Sequence, residues 1–147
     1  MTGVAGKRLV FRLSGVGFSL AIGDLLEILE AREGILDTSA ADADLALLGL
    51  LSVRDEAIHA RDVHGLFRLS PGDFASAILV VAGADGAWGL LADRVEGIFP
   101  LESFCCCEVP PLLQEGVSLP FTAIELWQGE PLICFDPKVV DQWLGSA

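Results

Sequence analysis

The chain reads as an all-β protein, and three observations say so. Short apolar runs recur along it, separated by turn dipeptides such as Ser14-Gly15, Asp85-Gly86 and Gln128-Gly129, the punctuation of short strands. Some of these runs alternate apolar with small or polar residues, the period of two that a strand requires. Little of the chain has helical spacing. This pattern favours a small barrel or a sandwich and does not choose between them.

Residues 7–13 and 17–22 are the first two strands, parted by Ser14-Gly15. In the second, Phe18, Leu20 and Ile22 alternate with Ser19 and Ala21. Residues 24–30, DLLEILE, have helical spacing, with Leu25, Ile28 and Leu29 on one side and Asp24 as N-cap. Residues 37–44, DTSAADAD, are small, acidic and polar and read as an exposed loop. Residues 47–53 return to strand. Residues 62–67 suit one helical turn broken near Gly65, and Ser70-Pro71-Gly72 is a turn. Residues 77–98 run AILVV, AGADGAW, GLLADRVEGI. That is a hairpin in which Asp85-Gly86 supplies the positive-φ residues of a tight turn. A last hairpin joins residues 121–127 to 132–135 around Gln128-Gly129. Asp136-Pro137 then opens a helix over residues 137–144, with Asp as N-cap and Pro at the first helical position, where its missing N–H costs nothing. Val139, Val140, Trp143 and Leu144 form its apolar stripe. No long linker, repeat or low-complexity tract divides residues 1–147, which form one domain.

Two stretches together resemble a known family. Residues 89–98 carry Gly-Leu-Leu-x-Asp-x-Val-x-x-Ile. Residues 49–63, GLLSVRDEAIHARDV, place Gly49, Leu50, Leu51, Val53, Arg54, Ile58, Asp62 and Val63 in a frame of glycine, apolar residues, Arg-Gly, apolar, Pro, two apolar residues and Asp-Leu. Their order and spacing are similar to those of CheW-like domains, the coupling modules that join bacterial chemoreceptors to a histidine kinase. The resemblance covers residues 9–144. Four positions depart from the frame: Asp55 stands for the glycine, His59 for the proline, and Ala60 and Arg61 for two apolar residues. The resemblance implies two five-stranded, SH3-like β-barrels packed around a shared apolar interface, with a short C-terminal helix.

Composition sets the outer bounds. Hydrophobic residues make up 52% of the 147, enough for a large core. The longest charge-free stretches, residues 13–23 and 74–84, have 11 residues each, short of the ~20 that span a bilayer. Lys7-Arg8 is followed by an apolar run broken at once by Arg12, without a small-residue cleavage site. The expectation is a soluble cytoplasmic protein. Nine basic residues against 21 acidic ones give a net charge of −12, which argues against nucleic acid and against an anionic membrane surface. Beyond Arg94 only Lys138 is basic, against eight acids.

Residues of chemical interest are few. Cys105, Cys106 and Cys107 are consecutive, so their thiols diverge, and neither His59 nor His64 stands at zinc-motif spacing. They are read as small buried side chains in a strand or loop edge of a reducing compartment. Asp55, Glu56, Arg61 and Asp62 suit a solvated turn. Gly83, Gly86 and Gly89 read as turn glycines, and Trp88, Trp127 and Trp143 as core or groove-lining aromatics. No catalytic residue, metal ligand or cofactor is assigned. Arg54 stands where an apolar strand leaves the core, with a guanidinium able to fork to carboxylates or carbonyls. The resemblance implies that it lies beside the inter-barrel groove, and Arg54, Val53 and Asp62 are the candidate interaction residues. The competing reading is a structural Arg54 paired with Asp62 or Asp93.

The resemblance further implies a non-enzymatic adaptor with two partners, the regulatory domain of a histidine kinase and the cytoplasmic tip of a chemoreceptor. Two alternatives accompany it: a thiol-dependent or metal-binding enzyme built on the cysteine run, and a diverged scaffold that has lost one partner. The four departures are expected to keep the fold while altering the surface around Arg54.

Overall fold

The structure, a computed structural model, describes residues 6–31, 36–40, 47–70, 77–108, 120–121 and 123–145, apart from the side chains of 40, 106–108 and 145. The strands are β1 Lys7–Leu13, β2 Val16–Ala21, β3 Leu25–Glu30, β4 Leu36–Asp37, β5 Leu47–Val53, β6 Glu56–Arg61, β7 Ala77–Gly83, β8 Gly86–Ala92, β9 Arg94–Pro100, β10 Phe104–Glu108, β11 Ala123–Trp127 and β12 Glu130–Phe135; the helix α1 is Pro137–Gly145. One sheet has the order β10-β11-β12-β2-β1-β9 and the other β3-β7-β8-β6-β5-β4. Neighbours are antiparallel except β12 with β2 and β6 with β8. Each sheet has six strands among the described residues, the sixth in the second being the two-residue β4.

Alternation of side chains explains why these sheets form two lobes on one core. In β1, Leu9, Phe11 and Leu13 face one way and Arg8, Val10 and Arg12 the other. The first set joins Phe18, Leu20 and Phe135 of its own sheet and Leu79, Val81, Trp88, Leu90 and Ala92 of the other in one buried cluster. Val10 instead meets Trp127 and Leu132, with Phe99 and Phe104 from the two sheet edges packed against them. Contact between opposite edges shows that the sheet curls on itself. The second sheet does the same: Leu51, Ala60 and Ile78 collect Leu29 from β3 and Leu36 from β4. The all-β fold with two lobes and a short C-terminal helix is therefore present. In β7, Ile78 faces its own lobe while Leu79 and Val81 face the other. Burial on both faces accounts for its unbroken apolar run.

Aromatic geometry fills the shared layer. Phe11 stacks on Phe18 with centroids 5.3 Å apart, and Phe67 meets Phe18 edge-on at 4.9 Å. Phe67 belongs to a 3-10 turn, Gly65–Phe67, that packs its side chain into this layer. Gly65 is the first residue of that turn and does not break it. At the C-terminus the helix start is as expected: the Lys138 N–H donates to Asp136 Oδ1 at 3.0 Å and Val140 N–H to the Asp136 carbonyl at 3.1 Å.

Several sequence expectations are corrected. Residues 25–30 form strand β3 instead of a helix; a 3-10 turn, Ile22–Asp24, precedes it. Seven residues are too few for a stable isolated helix, and pairing with β7 satisfies the backbone. The β7–β8 hairpin turns over Ala84-Asp85, with Gly83 opposite Gly86, so Asp85-Gly86 is not its centre. Only Gly86 there has positive φ, at 126°. Gly89 is no turn residue: it lies within β8, where a Cβ would sit 3.0 Å from Ile78 Cγ2. The run through residues 89–98 is two strands, because the chain passes between sheets at Asp93. Of the loop expected over 37–44, Leu36–Asp37 is strand and Thr38–Ala40 a 3-10 turn; residues 41–44, and Pro71 and Gly72, lie outside the described residues.

Three other hairpins turn on pairs with positive φ at both central residues: Ser14-Gly15 (50° and 82°), Arg54-Asp55 (50° and 68°) and Gln128-Gly129 (52° and 78°). This is the signature of type I′, whose twist matches that of the strands. Asp tolerates the position that glycine holds in the family frame.

Gly49 is a position where only glycine fits. Its φ is +156°, and a Cβ would overlap the Asp37 carbonyl of the neighbouring β4. Gly49→Ala is expected to cost about 1–3 kcal/mol, read from the midpoint of urea denaturation at unchanged m-value.

Candidate functional site

Arg54 occupies the tip of the β5–β6 hairpin with a side chain 82% exposed. Its NH2 lies 3.5 Å from Glu27 Oε1. The predicted alternatives, Asp62 and Asp93, are not its partners. Curling of the second sheet brings the tip to β3, the opposite edge strand. Glu27 sits there between Leu26 and Ile28, which are 56% and 44% exposed. Val53, half-buried, packs into the interior of its lobe and seats the tip. Asp62 is at the far end of β6, so the structure brings Arg54 and Val53 together and leaves Asp62 apart.

Helical spacing over residues 24–30 sets Ile28 with Leu25 and Leu29 and leaves Leu26 aside, whereas the strand exposes Leu26 and Ile28 together. The period of two in Leu26, Ile28, Glu30 is the signal that would have exposed them. Register shows which way Ile28 faces: it pairs with Leu79, a member of the inter-lobe cluster, so it extends the inter-lobe face of the second sheet to its open edge. Ile98 does the same on the first sheet. It pairs with Leu9, another inter-lobe residue, on edge strand β9 and is 45% exposed. Each lobe thus ends its inter-lobe face in an exposed branched aliphatic side chain.

Asp62 and Asp93 belong to a different constellation, centred on His64. The imidazole is buried, 4% exposed. Its Nδ1 contacts Asp62 Oδ1 and its Nε2 lies 3.0 Å from Asp93 Oδ2. Burial alone would lower the His64 pKa; the hydrogen bonds to Asp93 and Asp62 outweigh it, and the net shift is upward. Asp93 Oδ2 also accepts the Ser14 N–H at 2.6 Å, and the Asp93 N–H donates to the Arg12 carbonyl at 3.1 Å.

The interior of the first lobe is partly ionic, which apolar composition concealed. Arg8 Nε stands 2.7 Å from Glu125 Oε1, a contact of charge in which the N–H does not line up with the oxygen. Ser19, fully buried, donates to Glu125 and accepts from Arg8 NH2 at 3.3 Å. Arg12 forks onto Glu130, with its NH2 2.8 Å from Oε1, and its Nε donates to Glu96 at 2.9 Å. The hydrogen bond to Glu130 raises the Arg12 pKa and lowers that of Glu130. Gly17 makes room, since a Cβ there would meet Leu132 and Arg12.

The other departures from the family frame lie away from Arg54. Ala60 is buried in the second lobe. His59 and Arg61 line a cavity of about 410 Å³ with Asp85, Trp88, Asp141 and Leu144. The Arg61 guanidinium stands 5.9 Å from the centroid of the Trp88 ring. Two of the four departures therefore alter a surface beside α1, and the Arg54 surface keeps its turn. Cys105 on β10 is exposed, contrary to the expectation of burial; the side chains of Cys106 and Cys107 lie outside the described residues. Among the described residues no group of three His, Cys, Asp or Glu side chains is placed to hold a metal ion. No helix among them is long and apolar enough to cross a membrane.

Comparison with known proteins gives a consistent result. The profile of the CheW-like domain matches residues 7–106. No curated protein sequence matches the chain. Among solved structures, the chain is similar to the scaffolding protein TtCheW from Thermoanaerobacter tengcongensis, with a TM-score of 0.72, 20% identity and 92% of each chain covered. At that identity the likeness is one of fold.

Two substitutions separate interaction from stability here. Arg54→Ala is expected to change stability by no more than about 0.5 kcal/mol, because the ion pair is exposed and long; thermal denaturation measures it. Arg8→Met leaves Glu125 buried without its counter-ion and is expected to cost about 3–5 kcal/mol. Adding Glu125→Leu should restore most of that, a recovery that a denaturant double-mutant cycle detects.

Proposed function

Because the chain belongs to the CheW-like domain family, we propose that it is a chemotaxis scaffold. In this reading it is a non-enzymatic, cytoplasmic adaptor that holds the regulatory domain of a histidine kinase and the cytoplasmic tip of a chemoreceptor in fixed relation. It uses no cofactor. The signal passes as a change in how the two partners are held.

The observation that carries this reading is the pair of exposed inter-lobe margins, Ile28 with Leu26 on one lobe and Ile98 on the other. Isolated exposed aliphatics need no explanation. These continue the apolar layer between the lobes to the surface, and a helical hairpin buries such a surface through its own apolar stripe. Arg54, exposed at the β5–β6 tip beside Glu27 of β3, would meet a carboxylate or carbonyl of the docked partner. Val53 seats that arginine, and Asp62 contributes by holding His64 between the lobes. The exposed face of the first sheet near its β10 edge, where Leu126 on β11 is 42% exposed, suits the kinase domain. The thiol-enzyme alternative has in its favour only that Cys105 on β10 is exposed.

Isothermal titration of the protein against the kinase regulatory domain and a receptor hairpin fragment from the same genome tests the reading. Micromolar binding to both is expected, as modest exchangeable interfaces give. Leu26→Asp with Ile28→Asp should weaken the receptor fragment by about tenfold or more and spare the kinase domain. Binding of neither partner contradicts the proposal; binding of one alone identifies a scaffold that has lost the other.

A further inference from the structure

We infer that His64 is a protonation-controlled latch between the two lobes, closed while its imidazole carries a charge. The geometry makes the case. His64 follows β6 and so belongs to the second lobe, and the turn after it packs Leu66, Phe67 and Leu69 into the inter-lobe cluster. Asp93 sits at the point where the chain passes from β8 in the second sheet to β9 in the first. Its Oδ2 takes both His64 Nε2 at 3.0 Å and the N–H of Ser14, which lies in the β1–β2 turn of the first lobe. Asp62, from the exit of β6, holds the other ring nitrogen and also accepts the His64 backbone N–H at 3.0 Å. Ser14 Oγ donates to the Ser70 carbonyl, so the same turn is tied twice to the second lobe.

Chemistry fixes the charge state that closes the latch. Both ring nitrogens face carboxylate oxygens, and an ionised carboxylate only accepts hydrogen bonds. A neutral imidazole has one N–H, so one of its nitrogens would point a lone pair at a carboxylate. The doubly protonated ring satisfies both. Asp62 and Asp93 are the charged groups that act on it among the described residues; the first lobe contributes only the Ser14 N–H and the Arg12 carbonyl, which do not titrate. With the proton gone, two partly buried carboxylates lose the cation between them, and the junction at Asp93 loosens. An imidazolium held this way adds stability that is complete below the ordinary histidine range near pH ~6.5 and is lost as pH rises through the higher value of the folded protein. The docking margins are borne by the two lobes this junction joins, so a pH effect on partner binding rests on the scaffold reading; the latch itself does not.

The test uses the isolated full chain. NMR would follow the His64 ring resonances and, in the same samples, the exchange protection of the Ser14 and Asp93 amides, corrected for intrinsic rates, from about pH 6 to about pH 9. The expected result is a His64 titration above the ordinary histidine value, with both amides losing protection around that same midpoint. His64→Gln should lack that pH step and show low protection throughout, while His64→Arg, a permanent cation, should keep protection across the range. Should either variant fail to fold, the wild-type titration decides by itself. Amide protection that ignores the His64 titration, or a His64 that titrates at or below the ordinary value, overturns the latch. Partner titrations are not involved, so this outcome is independent of whether the scaffold reading holds.

Discussion

The apolar layer between the two lobes is the constraint on which the rest of the structure depends. Neither curled sheet is large, and each lobe's own interior holds only a handful of side chains. Small domains bury too little surface to be stable alone, and here the deficit is met by sharing. Leu9, Phe11 and Leu13 from β1, Phe18 and Leu20 from β2, and Leu79, Val81, Trp88 and Leu90 from β7 and β8 form one continuous core. The strands at the junction are consequently buried on both faces.

Sharing a core has a consequence for function. An inter-lobe layer has margins, and at the sheet edges those margins are exposed, as Ile28 and Ile98 are. On the scaffold reading, the docking surface comes from the way the fold is stabilised and needs no dedicated pocket. The same arrangement gives a partner leverage, since whatever binds across the margins also senses how the lobes are set. The connection at Asp93 and His64 sits at that junction, which is why a buried histidine between two carboxylates matters more here than it would inside either lobe. The ion pairs of Arg8 and Arg12 differ in kind: they fill and close the first lobe and touch neither margin.

Much of the fold was legible in the sequence. Hairpins announced themselves through Ser14-Gly15 and Gln128-Gly129, and the helix through Asp136-Pro137, because these are local signals with local causes. The segment at 24–30 was misread because Leu25, Ile28 and Leu29 satisfy helical spacing as well as they satisfy a strand, and only the free edge of β7 decides between them. Arg54 was placed correctly at the strand exit, but its partner was not, since Glu27 comes near only when the sheet curls. Sequence spacing says of His64 only that it fits no zinc motif. Nothing near it in sequence except Asp62 hints at its role; Asp93 arrives from 29 residues away. The departures at His59 and Arg61 were visible as departures, yet their position beside Trp88 and α1 follows from the parallel pairing of β6 with β8, which no local pattern encodes.

The central claim is that one chain holds two partners at once. Sedimentation velocity on a mixture of the chain, the kinase regulatory domain and the receptor hairpin fragment measures this directly. The account predicts a ternary species containing all three, formed only when the chain is present. Mutually exclusive binding, in which adding one partner displaces the other, would contradict it.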